Sequence, residues 1–128
     1  MKILISWIGG SDFASSRGVA ERSPGPIART LQDPRYQDFH EIRLLNNYPN
    51  EKTSIFKKWL TKETKTKAKI NIRTVKELKS PTDFEGVSRA VMGEVEDIHS
   101  KHTKEVELYF LVSPGTYVMS SIFIILAN

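Results

Sequence analysis

Four short apolar segments alternate with amphipathic segments along the chain. The apolar segments are rich in β-branched, leucine and aromatic residues, which is typical of strands, and they cover residues 2–8, 39–45, 68–75 and 105–112. Apolar side chains recur at helical spacing over residues 25–32, 51–65, 80–102 and 117–126. This repeated order of strand and helix predicts an α/β domain with a doubly wound, mainly parallel sheet.

Polar residues at two helix starts predict caps. Asn50 precedes the amphipathic segment 51–65 and is a favourable N-cap residue. Thr82, with Glu85 three residues later, predicts a capping box at the start of the longest helix. Residues 9–18 contain glycine and several serines, and we expect them to form a loop.

The fourth strand and the last helix are almost entirely apolar. This pattern predicts burial on both faces of the strand and on all sides of the helix. Because the chain ends in or just after that helix, we expect either a longer protein, of which residues 1–128 form the N-terminal part, or a homodimer that buries the helix. Neither apolar end approaches the roughly 20 residues that span a bilayer, so no membrane association is expected.

The composition predicts one globular domain over residues 1–128. The absence of cysteine excludes disulfides and thiolate chemistry, and it fits a reducing cytoplasm. The net charge of +4 is unevenly placed, since residues 51–79 contain ten basic and three acidic residues. A solvated helix face with its loop is the simpler interpretation, and a surface that collects an anion such as RNA is the other.

Polar loops follow all four predicted strands. Ligands of open parallel sheets bind outside the carboxyl ends of the strands, so these loops are the place to look for a site. The candidate ligand-binding residues there are Trp7, Gly9, Gly10, Ser11, Asp12, Asn46, Asn47, Tyr48, Thr82, Asp83, Ser113, Gly115 and Thr116.

The chemistry of these loops favours phosphate and hydroxyl groups. Glycines permit close backbone approach, and Gly115-Thr116 opens a helix whose free N–H groups attract an anion. The spacing matches neither the dinucleotide-binding fingerprint nor the P-loop, which disfavours a dinucleotide oxidoreductase or an ATPase. Trp7 and Tyr48 could stack on bases, although core packing is the alternative for Trp7. Asp83 has the alternative role of favouring the first turn of a helix.

Catalytic and metal chemistry are weakly indicated. His99 and His102 stand three residues apart, but no further ligand completes a metal set, so helix capping and solvent exposure are favoured. Ser113 lacks the nucleophile elbow of a serine hydrolase. We therefore expect no metal, no cofactor and no catalytic residue.

The segments ILISWIGGSDF, GPIARTL, LLNNYP, SPTDF and LVSPGTYVMSSIFIILA together resemble the N-terminal sensor domain of sigma-54-dependent transcriptional regulators of the RNA-repair operon type. These sensors belong to the CARF-like (CRISPR-associated Rossmann-fold) domains. The resemblance extends over nearly the whole chain, and SPGTYVM is similar to the family's Ser/Thr-x-Gly-Thr-x-x-Met turn, which adds Met119 to the candidate ligand-binding residues. Many CARF domains have a lysine just after the threonine, where this chain has Tyr117.

The resemblance implies a homodimer that binds a nucleotide or RNA-derived ligand and controls downstream AAA+ and DNA-binding domains. Cyclic oligoadenylates are the usual CARF ligands, while the RNA-repair regulator responds to RNA ends. A ligand sensor without catalysis is the leading hypothesis. One alternative is a metal-independent phosphodiesterase, or ring nuclease, in which Trp7, Ser113 and Thr116 hold the scissile phosphate of cyclic oligoadenylate. The other is a plain dimerisation module.

Overall fold

The computed structural model describes residues 1–18, 24–76, 78, 80, 82–103 and 105–127. Four strands form its sheet: β1 (Lys2–Trp7), β2 (Glu41–Asn46), β3 (Lys69–Thr74) and β4 (Glu107–Leu111). The helices are α1 (Gly10–Ser16), α2 (Gly25–Gln32), α3 (Thr53–Thr64), α4 (Phe84–Lys101) and α5 (Tyr117–Ala127), with a 3-10 turn at Pro34–Tyr36.

The sheet has the order β3-β2-β1-β4, and every neighbouring pair is parallel. Ile3 of β1 lies opposite Glu41 of β2 on one side and Leu108 of β4 on the other. The chain thus proceeds outward from β1 to β3 and then crosses back, through α4, to the other side of β1. This topology confirms the predicted α/β, Rossmann-like class. It also puts the switch point of strand order between β1 and β4.

A hydrophobic cluster covers each face of the sheet, because alternate strand residues point to opposite faces. Leu4 and Ile8 pack with the inner sides of α1, α2 and α3. Ile3, Ile5 and Trp7 pack on the opposite face with α4 and α5. The result is a three-layer domain in which α5 starts directly beyond the carboxyl end of β4.

Three predictions about local structure are wrong. Residues 10–16 form a helix, not a loop, because Asp12 accepts the Gly9 N–H and Phe13 is buried. Helix α3 starts at Thr53 after Lys52, so Asn50 is not its N-cap. Asp83, and not Thr82, caps α4, and its carboxylate accepts the Gly86 N–H at 3.2 Å.

The burial predicted for the last strand and helix is only partial. β4 lies at the edge of the sheet, and its side chains from Leu108 to Leu111 are half-buried. In α5 the inner side is buried, but Ile125 is 61% exposed. In the described part of the chain, no helix is long and apolar enough to cross a membrane.

Charged side chains occupy the α4 face of the sheet, and we call them the α4 ion cluster: Glu41, Arg43, Arg73, Glu94, Asp97 and His102. Arg43 is 6% exposed, and its guanidinium contacts Glu41 at 2.7 Å, Glu94 at 3.2 Å and also Asp97. Arg73 contacts Glu94 at 3.1 Å, and the His102 ring lies 3.2 Å from Glu41. His99 is exposed and His102 is the C-cap residue of α4, as the sequence favoured, but the His102 ring packs into this cluster and is not solvent-exposed.

Candidate functional site

The loops after β1 and β4 touch at the switch point. A Cβ atom at Gly9 would lie 3.3 Å from the backbone nitrogen of Gly115 and 3.5 Å from Cβ of Pro114. Any side chain at position 9 would push these loops apart. Glycine therefore allows the two loops to pack directly against each other. We call the region where they meet, at the carboxyl ends of β1 and β4, the β1–β4 crevice.

The loop after β2 contacts the loop after β1 on the side away from β4. A Cβ atom at Gly10 would lie 3.4 Å from the Tyr48 hydroxyl. Asn46 is fully buried and fixes that loop, because its side chain accepts the Tyr48 N–H at 2.9 Å and donates to the Tyr48 carbonyl at 3.1 Å. Asn46 thus positions Tyr48, and its own side chain is buried.

Thr82 and Asp83 follow β3, which lies at the far edge of the sheet from β4. The Thr82 hydroxyl is 3.2 Å from the Ser80 hydroxyl, and Asp83 caps α4. These contacts organise the start of α4. They do not bring either residue to the β1–β4 crevice.

Asp12 lies beneath the crevice as a buried anchor. Its carboxylate accepts the N–H groups of Gly9 at 2.8 Å and Ile27 at 3.2 Å, and so connects α1 to α2. Burial raises the pKa of Asp12 above its ordinary value, although the two backbone hydrogen bonds oppose that shift. Gly25 leaves room for this carboxylate, since a Cβ atom there would lie 2.8 Å from it.

Replacement of Asp12 by alanine is expected to lower the free energy of unfolding by about 2 kcal/mol, because two buried N–H groups lose their acceptor. Asp12→Asn keeps one acceptor oxygen and should cost about half as much. Urea titrations measure both. Equal losses in the two variants would contradict the anchoring role.

The pH dependence of this anchor follows from the raised pKa. The folded state disfavours ionisation of Asp12, so its contribution is greatest below pH 3.8 and declines as pH rises through the folded-state pKa. Wild type should therefore lose stability relative to Asp12→Asn over that interval. A constant difference between the two proteins would contradict the assignment.

Trp7 and Met119 form the floor of the crevice. Trp7 is 0% exposed, which favours the core-packing alternative and leaves its ring no face to offer a base. Its indole N–H has no partner among the described residues. Met119 is equally buried, and its sulfur lies 3.3 Å from the Thr116 nitrogen while the Thr116 hydroxyl lies 3.4 Å from the Met119 nitrogen. These contacts fix the turn between β4 and α5.

The rim of the crevice consists of the remaining candidates. Exposed or half-buried groups there belong to Gly10, Ser11, Asn47, Tyr48, Ser113, Gly115 and Thr116. None of these residues is basic or acidic, so a bound anion would depend on hydroxyl groups, backbone N–H groups and the positive end of α5. The arrangement suits binding of a phosphate-bearing ligand.

Two residues of this region were not among the candidate site residues: the sequence analysis did not single out Pro114, and it named Tyr117 only as a departure from the CARF turn. Pro114 is buried against Gly9, a contact between loops that no local pattern reveals. Tyr117, 89% exposed, starts α5 at the rim. An aromatic residue directly after the Gly-Thr turn was the signal, but its exposure depends on how α5 is oriented.

Comparisons with known proteins identify the fold. No family model matches the chain, and neither does any curated protein. The structure of Csm6 from Enterococcus italicus, bound to cyclic hexa-2'-fluoro-hexa-dAMP, is similar with a TM-score of 0.76 at 18% sequence identity. The match covers 98% of this chain and 30% of Csm6, so this chain spans less than a third of that protein. The likeness shows a CARF-like fold.

Proposed function

We propose that this domain senses a nucleotide-derived ligand of the cyclic oligoadenylate class in the β1–β4 crevice. The observation that carries the proposal is the meeting of three strand-end loops at the switch point of a fold shared with Csm6. Csm6 was solved with a cyclic adenylate. Ligand sites of open parallel sheets concentrate at this position.

The rim supplies the groups that such a ligand needs. The Ser113 and Thr116 hydroxyls, with the N–H groups at the start of α5, contact a phosphate. The exposed backbone at Gly10 and Gly115 lets the ligand approach closely. Binding without cleavage is the leading form of this proposal, and the ring-nuclease alternative would use the same rim hydroxyls to hold the scissile phosphate.

Isothermal titration calorimetry with cyclic tri-, tetra- and hexa-adenylate, and with RNA bearing a 2′,3′-cyclic phosphate, tests this function. We expect at least one cyclic adenylate to bind and to be recovered intact, as shown by mass spectrometry. Binding of only the RNA end would move the ligand class to RNA ends. Cleavage would establish the ring-nuclease alternative, and no binding at all would leave the dimerisation module.

Tyr117 provides a sharper test, because it departs from the lysine of many CARF domains. We propose that its exposed ring stacks on an adenine, a contact worth about 1–3 kcal/mol. Tyr117→Ser should therefore weaken binding by about tenfold or more, whereas Tyr117→Phe should retain it. Fluorescence of a 2-aminopurine-substituted ligand reports stacking directly. Equal quenching by wild type and Tyr117→Ser would exclude this contact.

The regulatory context forms a second, wider part of the proposal. We propose a cytoplasmic homodimer in which residues 1–128 are the N-terminal sensor of a sigma-54-dependent regulator with AAA+ and DNA-binding domains. The sequence resemblance supports the context, and the exposed apolar side of α5 at Ile125 and Leu126 supports self-association. Light scattering after size-exclusion chromatography, with and without ligand, tests the dimer.

A further inference from the structure

Five exposed lysines lie along α3 and the loop that follows it. We call this set the lysine row: Lys57, Lys58, Lys62, Lys65 and Lys67. Within the part of the chain that the structure describes, none of the five side chains forms an ion pair. Residues 51–79 carry a net charge of +7, which leaves −3 for the rest of a chain whose total is +4.

The row is separate from the β1–β4 crevice. Helix α3 follows β2 and precedes β3, so it starts at the carboxyl edge of the sheet and ends at the amino edge. From Lys57 to Lys65 the row extends about 12 Å along the helix, and it continues to Lys67 in the loop before β3. Strand β3 lies two positions away from β1, on the side opposite β4.

The far end of the row is an ordered pocket. Lys65 ends α3 with a φ of 56°, and its N–H donates to the Thr61 carbonyl at 2.9 Å. The Thr66 hydroxyl accepts the Ala68 N–H at 3.2 Å. These bonds shape a pocket of about 450 Å³ that is lined by Leu31, Gln37, Thr64, Lys65, Thr66 and Lys67. Lysine and hydroxyl groups in one pocket suit an anion.

Uncompensated repulsion within the row favours an anionic partner. Lys58 and Lys62 are four residues apart on α3, where like charges destabilise a helix by about 0.2–0.5 kcal/mol per pair. Glu63 is the acidic residue inside the row, and it too is exposed. A bound polyanion would relieve this repulsion and release its own counterions.

A nucleic acid fits this surface better than a protein does. Protein interfaces have an apolar centre, whereas the large apolar side chain exposed on α3 is Ile55, at its first turn and not among the lysines. Lysine acts as a point charge toward phosphate and carries no base information. We propose that the lysine row binds the phosphodiester backbone of a single-stranded nucleic acid, without base selectivity and independently of the crevice.

Fluorescence anisotropy with labelled oligouridylate and oligothymidylate of about 20 nucleotides tests the proposal. Neither probe contains adenine, so neither addresses the ligand class proposed for the crevice. We expect both to bind at about 50 mM salt, with a log–log salt slope of about −2 to −3.5 for three to five phosphate contacts. Absence of binding, or a slope near zero, would overturn the proposal. If only one of the two probes bound, the row would be selective for base or sugar, and that part of the proposal would be wrong.

The variant Lys58→Glu/Lys62→Glu should weaken binding at least tenfold and make the slope shallower by about 1.4. The control Arg35→Glu/Arg89→Glu makes the same change in net charge at exposed positions outside the row and should stay within about threefold of wild type. Equal weakening in both variants would mean that binding depends only on the net charge of the protein, and would overturn the lysine row as the site. Lys58→Gln/Lys62→Gln repeats the test with a smaller perturbation. Displacement of the probe by polyglutamate at equal charge would overturn the nucleic acid as partner.

Discussion

Arg43→Met is expected to lower the free energy of unfolding by about 3–5 kcal/mol at neutral pH. The guanidinium is 6% exposed and is shared by Glu41, Glu94 and Asp97. Its removal leaves buried carboxylates without their main counter-charge, a loss that methionine cannot offset by filling the space. Urea unfolding monitored by circular dichroism measures the effect.

The exposed ion pair Arg17–Glu51 provides the matched control. Its side chains are 51% and 30% exposed, so Arg17→Met should cost less than about 1 kcal/mol. The triple variant Glu41→Gln/Arg43→Met/Glu94→Gln removes the stranded charges and should recover much of the loss. If the triple variant were no more stable than Arg43→Met, lost packing and not stranded charge would be the cause.

Acid should reduce the difference between wild type and Arg43→Met. Burial alone would raise the pKa of Glu41, but the charge of Arg43 and hydrogen bonds from Asn71, Arg43 and His102 bring it below the ordinary value of 4.5. The Arg43 hydrogen bond likewise lowers the pKa of Asp97 below 3.8. The stabilisation from a lowered pKa is present above the unfolded-state pKa and is lost as pH falls through the folded-state pKa. The two proteins should therefore converge below about pH 4.

Gly115→Ala is the second large effect, with an expected loss of about 2–4 kcal/mol in unfolding free energy and a loss of ligand binding. Gly115 has a φ of +93°, and an added Cβ would lie 2.6 Å from the Met119 sulfur and 3.4 Å from the Trp7 Cβ. The methyl group would thus strain the backbone and displace the sulfur from the Thr116 N–H.

Gly18→Ala separates the two causes. Gly18 has a φ of +72°, but an added Cβ would meet no atom of the described residues within 4 Å, so this variant reports backbone strain of about 1–2 kcal/mol. The additional loss in Gly115→Ala measures the contact with Met119. Equal losses in the two variants would mean that the packing of the turn on Met119 contributes nothing.

The sequence was sufficient to predict the four strands and the parallel class of the sheet. It did not predict the burial of the charged residues in the α4 ion cluster. Runs of β-branched, leucine and aromatic residues placed all four strands, because that composition is a local feature of the sequence. Glu41 and Arg43, however, have the charged character of surface residues, and only the crossing of α4 over β2 buries them against Glu94 and Asp97. Their partners lie more than 50 residues away, beyond the reach of any local pattern.

The convergence of strand-end loops followed from the parallel order alone, but the roles of individual side chains did not. Trp7, Asp12 and Asn46 were candidates because of their positions, yet all three are buried. Which residues face outward depends on how α1 and α5 are seated over the strand ends. That seating is determined by Gly9 and Gly115, whose contacts join distant parts of the chain.

The strand order also governs how the domain is assembled. Ile3 pairs with Glu41 across a short separation in sequence, whereas it pairs with Leu108 only after 105 residues. Closing that longer loop carries the larger entropic penalty, so we expect β4 to dock after the first three strands have formed. The two walls of the crevice come from opposite ends of the chain and exist together only in the completed fold. A ligand that contacts the loops after both β1 and β4 would therefore slow the detachment of β4, which is the first step of unfolding.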